Sequence, residues 1–345
     1  MIKKIALTTI SIAIISFAEG QKQRDDHDSS YYKTYRSELT MRIFLSRKYT
    51  VISYIPPSPA ADFQYRANTS LDLGMAATYH AFTLGISFGV EKFNPDEVKG
   101  NTKYLDLQGH FYNRRWNIDL LGEFYKGYYL TPKGKAAMPG EEYYKRQDIG
   151  LSLVGLAFYR CLNEREFSYQ AGLVHNEWQK KSAGSFLLGG EIYYGAIYGD
   201  STLIPTVLDR SAASLVINKS HFFIFGPGIG YAYTLVIKEH FFMLGSANLG
   251  LAFRYSQEIS SSRDLYYKRF GFNPNLIVHA GIGYNSDKWC MSFLWVDATI
   301  LSRGERTDYY YKTNAGNYRI VYARRFALGK KTKKILEPIP QILGQ

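Results

Sequence analysis

The chain has 345 residues with 30 Tyr, 21 Phe and 30 Gly but only 11 Pro, a mixture suited to strands and aromatic interface belts rather than helices. Its two cysteines, Cys161 and Cys290, exclude a disulfide-dense scaffold and leave open whether they pair. The formal charge of +12 could serve nucleic acid, but the N-terminus reads as an export signal, so acidic lipid headgroups or lipopolysaccharide phosphates are the expected counter-charges.

Lys3 and Lys4 precede an apolar run from Ile5 to Phe17, followed by Ala18-Glu19-Gly20 as a small-x-small cleavage site. That run is too short for a helix that needs roughly 20 residues to cross a bilayer, so residues 1–20 are expected to be a cleaved Sec signal peptide. No cysteine stands near the cleavage site to accept a lipid. Residues 21–38 are polar, carry Arg24-Asp25-Asp26-His27-Asp28 and show no period; they read as a flexible periplasmic lead-in.

From Thr40 onward the pattern has period two. The clearest case is Phe82-Thr83-Leu84-Gly85-Ile86-Ser87-Phe88-Gly89-Val90, with large apolar residues on one face and Thr, Gly and Ser on the other. In the segments around Tyr104–Tyr112 and Trp116–Phe124 the polar face carries Asp106, His110, Asp119 and Glu123, which predicts a polar network in the lumen of a barrel. Further segments run from Thr40 to Tyr54, Thr69 to His80, Asp148 to Arg160, Phe167 to Glu177, Ser185 to Ile197, His221 to Val236, Phe241 to Tyr255, Leu276 to Asn285, Trp289 to Ile300 and Asn317 to Leu328. Most are longer than the about 5–6 residues of soluble strands and match the about 9–11 that a tilted membrane strand needs. No run of 18 apolar residues follows Gly20, so helical spans are not expected.

Connections alternate between tight ones, such as His80-Ala81, Asn113 to Arg115, Lys238 to His240 and Ser286 to Lys288, and long polar ones at Thr131 to Gln147, Gly199 to Ser220, Gln257 to Phe272 and Ser302 to Gly316. Short periplasmic turns and long external loops are the asymmetry of outer-membrane barrels. The reading is therefore all-β: an antiparallel transmembrane barrel over residues 39–328, of about twelve strands with fourteen as the alternative, and a basic periplasmic tail at 329–345. The segments found number thirteen, an odd count for a bacterial barrel, and the conflict lies between Cys161 and Ser220. Phe326 closes the last strand as an aromatic signal for barrel-assembly machinery.

Chemistry is sparse. His175, Glu177 and Ser185 are the side-chain types of a lipid hydrolase, but a nucleophilic serine needs its base within hydrogen-bond reach, and Ser185 lies across a turn from the other two. Gly226-Pro227-Gly228-Ile229-Gly230 lacks the Lys-Ser/Thr ending of a phosphate loop and reads as relief of crowding in a strand. The histidines have no metal-ligand spacing, so neither a metal nor another cofactor is expected.

Several stretches carry a family resemblance: Phe44 to Tyr49, Tyr125 to Leu130, Phe167-Ser168-Tyr169, Gln179 to Phe186, and Asp200 to Pro205. They resemble a Bacteroidota outer-membrane family catalogued only as a domain of unknown function. The resemblance implies an outer-membrane barrel with no established activity. The leading functional expectation is a non-enzymatic barrel, structural or a subunit of an envelope complex with protein partners. A narrow channel for small or apolar solutes and a lipid hydrolase are the alternatives.

Overall fold

The alternation in sequence becomes alternation of side chains across a wall. In β12 (Phe241–Ser260), Phe241, Met243, Leu249, Leu251 and Phe253 are exposed, while Phe242, Leu244, Ser246, Asn248 and Arg254 are buried. The same exposed apolar band continues around the molecule through Ile43, Leu84, Phe186, Phe225, Ile282, Phe293 and Ile320. A continuous band of this extent has no place in water and marks a lipid-facing surface.

The structure is a computed structural model and describes residues 27–57, 62–80, 82–90 and 96–329. The expected signal peptide at 1–20 and all but the first residue of the expected tail lie outside the described residues. Among the described residues thirteen strands form one antiparallel sheet. They are β2 (Glu38–Ile55), β3 (Phe63–Arg66), β4 (Leu71–Tyr79), β5 (Phe82–Gly89), β6 (Lys103–Tyr112), β7 (Trp116–Thr131), β8 (Lys145–Cys161) and β10 (Ala183–Tyr198), followed by β11 (Lys219–Ile237), β12, β13 (Leu265–Asn285), β14 (Trp289–Arg303) and β15 (Tyr310–Ala327). The expectation of about twelve, with fourteen as the alternative, brackets this count; β3, with four residues, is too short to show a period.

The last strand pairs with the first, β15 with β2, from Tyr310↔Ile55 to Ala327↔Glu38, and closes the sheet into a barrel. On the other side of β2 the wall divides. Its upper part, Val51 to Tyr54, pairs with β3, which in turn pairs with the end of β7. Its lower part, Thr40 to Arg47, pairs with β4 and through it with β5, while β6 hangs on β7 alone. Among the described residues no ladder joins β5 to β6. The barrel is thus ringed by ten hydrogen-bonded strands at one level and interrupted between β5 and β6 below it.

The conflict between Cys161 and Ser220 resolves here. The segment expected as a strand from Phe167 to Glu177 is not in the wall: it holds helix α1 (Tyr169–Leu173), whose first turn is capped by Ser168 Oγ accepting from the Ala171 amide at 3.0 Å. Strand β9 (Glu177–Gln179) follows and pairs with β1 (Tyr32–Thr34) in a small separate sheet. Residues of the expected flexible lead-in are therefore ordered from His27 onward, because Tyr32 to Thr34 find their ladder on β9. A second correction concerns Gln257 to Phe272, expected as a loop: β12 and β13 run on as a paired hairpin to Ser260↔Leu265, since strands that project beyond the lipid need no apolar alternation. Cys161 and Cys290 are both free and buried.

Candidate functional site: a chamber that opens through the wall

Both ends of the lumen are filled. At the end carrying the tight turns and both described termini, which the usual asymmetry assigns to the periplasm, residues 162–182 form a plug. Arg325 on β15 clamps it, donating from Nη2 to the carbonyl oxygen of His175 at 2.6 Å, to that of Glu177 at 3.2 Å and to Asn285 Oδ1 at 2.9 Å. Tyr169 reaches the opposite wall, with its hydroxyl 2.8 Å from His279 Nδ1, and Trp178 Nε1 donates to the carbonyl of Glu239 at 2.8 Å.

At the other end the 199–218 loop, with its short helix α2 (Arg210–Ser214), folds inward. Leu203 and Ile204 are buried among Tyr54, Phe63, Tyr65 and Tyr311. Tyr65 donates to the Leu203 carbonyl at 3.2 Å, Arg146 Nη1 to the Thr202 carbonyl at 2.9 Å, and Tyr309 to Asp209 Oδ2 at 2.9 Å.

Between these closures lies a cavity of about 960 Å³, at the upper end of the roughly 300–1,000 Å³ usual for small-molecule sites. Its inner lining includes Arg42, Lys48, Asp106, His110 and Arg319; its outer lining includes Ile86, Phe88, Leu105 and Leu107, which belong to the lipid-facing side of β5 and β6. The cavity therefore reaches the barrel exterior at the place where the ladder is interrupted. The β5 side chains that face inward are Thr83, Gly85, Ser87 and Gly89, all small, and this leaves the space open. Unpaired backbone edges at membrane depth are tolerated where they line a polar or water-filled cavity, and the chamber supplies one.

The four carboxylate and imidazole groups expected in the lumen are placed together on β6 and β7, where Asp106 is paired in register with Glu123 and His110 with Asp119. His110 Nδ1 is 2.7 Å from Asp119 Oδ1, and Tyr112 also donates to Asp119. Lys48 Nζ is 3.3 Å from Asp106 Oδ1, Tyr125 donates to Asp106 Oδ2 at 3.0 Å, and Thr50 donates to Glu123 Oε2 at 3.2 Å. Arg42 and Arg319, which no pattern in the sequence marked, line the same chamber.

His175, Glu177 and Ser185 are not brought together. Ser185 Oγ accepts from the Leu162 and Asn163 amides, each at 2.9 Å, and pins the start of the plug connection. Glu177 accepts from Ser168 Oγ inside the plug. His175 Nε2 instead lies 2.8 Å from Ser292 Oγ. Among the described residues no carboxylate orients this imidazole, whose buried Nδ1 has no partner there. Burial, reinforced by Arg42, Arg325 and Arg319, holds His175 well below its usual 6.5, whereas burial holds the Glu177 carboxyl above its ordinary range against the Ser168 hydrogen bond.

Closed antiparallel wall, lipid-facing apolar band and polar interior define the class: a transmembrane β-barrel of the outer-membrane type. The chain belongs to the family described as a domain of unknown function (DUF4421), which spans residues 26–326. No curated protein matches it. Among solved structures it is similar to the outer membrane protease OmpT from Escherichia coli, with 8% identity, a TM-score of 0.42, and coverage of 85% of this chain and 98% of that one. It is also similar to the beta domain of the Bordetella autotransporter BrkA, with 11% identity, a TM-score of 0.36, and coverage of 86% and 100%. A third is the toluene transporter TodX of Pseudomonas putida, with 6% identity, a TM-score of 0.29, and coverage of 83% and 89%. Nothing about the activity of this chain follows from likenesses at these levels.

Proposed function

We propose that this protein is a non-enzymatic barrel of the outer membrane that takes a membrane amphiphile from the bilayer sideways, through the interruption between β5 and β6, into the central chamber. The observation that carries this reading is the pairing of two filled ends with a cavity that reaches lipid-facing residues of the wall. A solute moving along the barrel axis would meet the plug at one end and the folded loop at the other, which counts against the narrow-channel alternative. The hydrolase alternative lacks support in the His175 environment, where the imidazole is sealed and has no orienting carboxylate. Export by a cleaved signal peptide, a Bacteroidota origin and contact with barrel-assembly machinery and envelope partners accompany this reading as expectations.

A photo-cross-linking residue at position 87 tests it, because Ser87 faces inward from β5 and lines the chamber. In native membranes the expected product is a covalent lipid adduct, detected by mass spectrometry. Adducts at outward Phe88 with none at position 87 would contradict entry of lipid into the chamber.

A further inference from the structure

Arg42 and Arg319 differ from the carboxylate-paired arginines of the molecule. Arg146 is bound to both oxygens of Asp148 at 2.7 Å, Arg303 to Asp308 at 2.7 Å, and Arg115 to Glu164 at 2.7 Å. Arg42 is 6% exposed, donates from Nη2 to Thr78 Oγ1 at 3.0 Å and, among the described residues, forms no ion pair and leaves Nε without a partner. Arg319 lies over the Phe44 ring, 4.7 Å from its centroid, and among the described residues likewise has an unpartnered buried Nε and no ion pair. A guanidinium carries five donors, and burying it without an anion is costly. The neighbouring carboxylates are already engaged: Asp106 by Lys48 and Tyr125, Asp119 by His110 and Tyr112, and Asp72 by Tyr104 at 3.0 Å. Among the described residues, then, the chamber holds two guanidinium groups with no carboxylate within ion-pair distance.

Their placement says what fits. Arg42 stands on the first strand of the wall, four residues in from its periplasmic end at Glu38, and the β5–β6 interruption occupies that same half of the barrel. Phe44, Ala76, Leu173, Val174, Leu294 and Val321 line the space around the arginines with apolar surface. From there the cavity continues to Ile86, Phe88, Leu105 and Leu107 at the lipid boundary. The required ligand has a compact anionic head matched to guanidinium geometry and apolar chains that can remain in the bilayer. At the periplasmic side of an outer membrane that description is met by a glycerophospholipid with an exposed phosphate, and less well by lipopolysaccharide of the opposite leaflet.

We propose that Arg42 and Arg319 bind the phosphate of an anionic glycerophospholipid whose acyl chains leave the chamber between β5 and β6. This rests on the side-opening reading above. Two parallel donors on each guanidinium can meet the phosphate oxygens, while Thr78 holds Arg42 and the Phe44 face holds Arg319 in place.

The test is calorimetric titration of the full barrel in dodecyl maltoside with dioctanoyl phosphatidic acid, dioctanoyl phosphatidylcholine and inorganic phosphate. One phosphatidic acid per barrel is expected, bound at least tenfold more tightly than the choline lipid and at least a hundredfold more tightly than phosphate alone. Arg42→Gln and Arg319→Gln should each weaken it about tenfold or more, and Arg319→Lys, which keeps the charge, by less. Heat-shifted mobility on gels reports folding for each variant; should a Gln variant fail to fold, the Lys variant and the lipid comparison still decide. Phosphate bound as tightly as phosphatidic acid would overturn the lipid assignment. Unchanged affinity in both Gln variants would overturn the arginine site. Ser87→Trp, which adds an indole to the chamber wall, separates the two readings: if it abolishes binding while both Gln variants bind normally, the side-opening chamber stands and the arginine assignment falls. If Ser87→Trp binds normally as well, the chamber reading falls with it.

Discussion

The wall from β10 to β15 and the wall from β4 to β6 are made of the same alternating pattern but behave as different materials. In the first, strands of 15 to 21 residues pair on both sides, and β12 and β13 are matched from Phe241↔Tyr284 to Ser260↔Leu265. In the second, strands of 8 to 10 residues end in two, β5 and β6, that each pair on one side only among the described residues. The difference teaches that alternation decides which face of a strand meets lipid, while ladder continuity decides whether the wall is sealed. In the short wall β5 keeps small inward residues, and a chamber forms behind it; the long wall fills its interior with Tyr193, Phe222 and Leu244.

The largest contrast should come from the floor of the chamber, which the long wall holds through Arg325. Arg325→Ala removes donors from the His175 and Glu177 carbonyls and from Asn285, and a buried acceptor left unpaired costs about 1–3 kcal/mol. The expected result in planar bilayers is a silent wild-type barrel and a conducting variant. A conducting wild type would mean that the ends are not closed.

Next comes a charge on each wall. Leu249→Arg, at mid-depth on the outer face of β12, should cost about 2–4 kcal/mol in denaturant unfolding from lipid vesicles. Ile86→Arg on β5 should cost less than half as much, because its guanidinium can turn into the adjoining polar chamber. Equal costs would indicate that the short wall is sealed like the long one.

The smallest effect is the pH dependence of plug docking. His175 has a depressed pKa when docked, so its contribution to docking is present above about 6.5 and is lost as pH falls below that value. Glu177 has a raised pKa, so its contribution is present below about 4.5 and is lost as pH rises through the docked value. Each proton can change docking by at most about 1.4 kcal/mol per pH unit. Amide exchange of residues 169–179 between pH 7.5 and 5.5 should show loosening on acidification. His175→Gln should reverse that trend and Glu177→Gln should steepen it.

Much of this architecture was legible in the residues. Long alternating segments such as Phe241 to Tyr255 announced both strand and facing, and parity put Asp106, His110, Asp119 and Glu123 on the inward side of β6 and β7. The plug was not legible, since five residues of helix show less than two turns of period; the local signal was the capping Ser168 ahead of Tyr169. The chamber was missed for a different reason. Phe82 to Val90 shows the cleanest alternation in the chain, yet alternation carries no information about whether a strand has a second partner. Arg42 and Arg319 are far apart in sequence and meet because the last strand of a barrel pairs with the first. Inward charges on those two strands could have been considered as one site on that ground.

Residue-resolved amide exchange in β5 and β6, compared with β12, tests the central claim most directly. In an interrupted wall, alternate amides of Phe82–Gly89 and Lys103–Tyr112 lack a ladder partner and face the chamber, so they should exchange within minutes while the interior amides of Phe241–Ser260 stay protected for days. Uniform protection of all three strands would mean that β5 and β6 are joined, and the side opening would not exist.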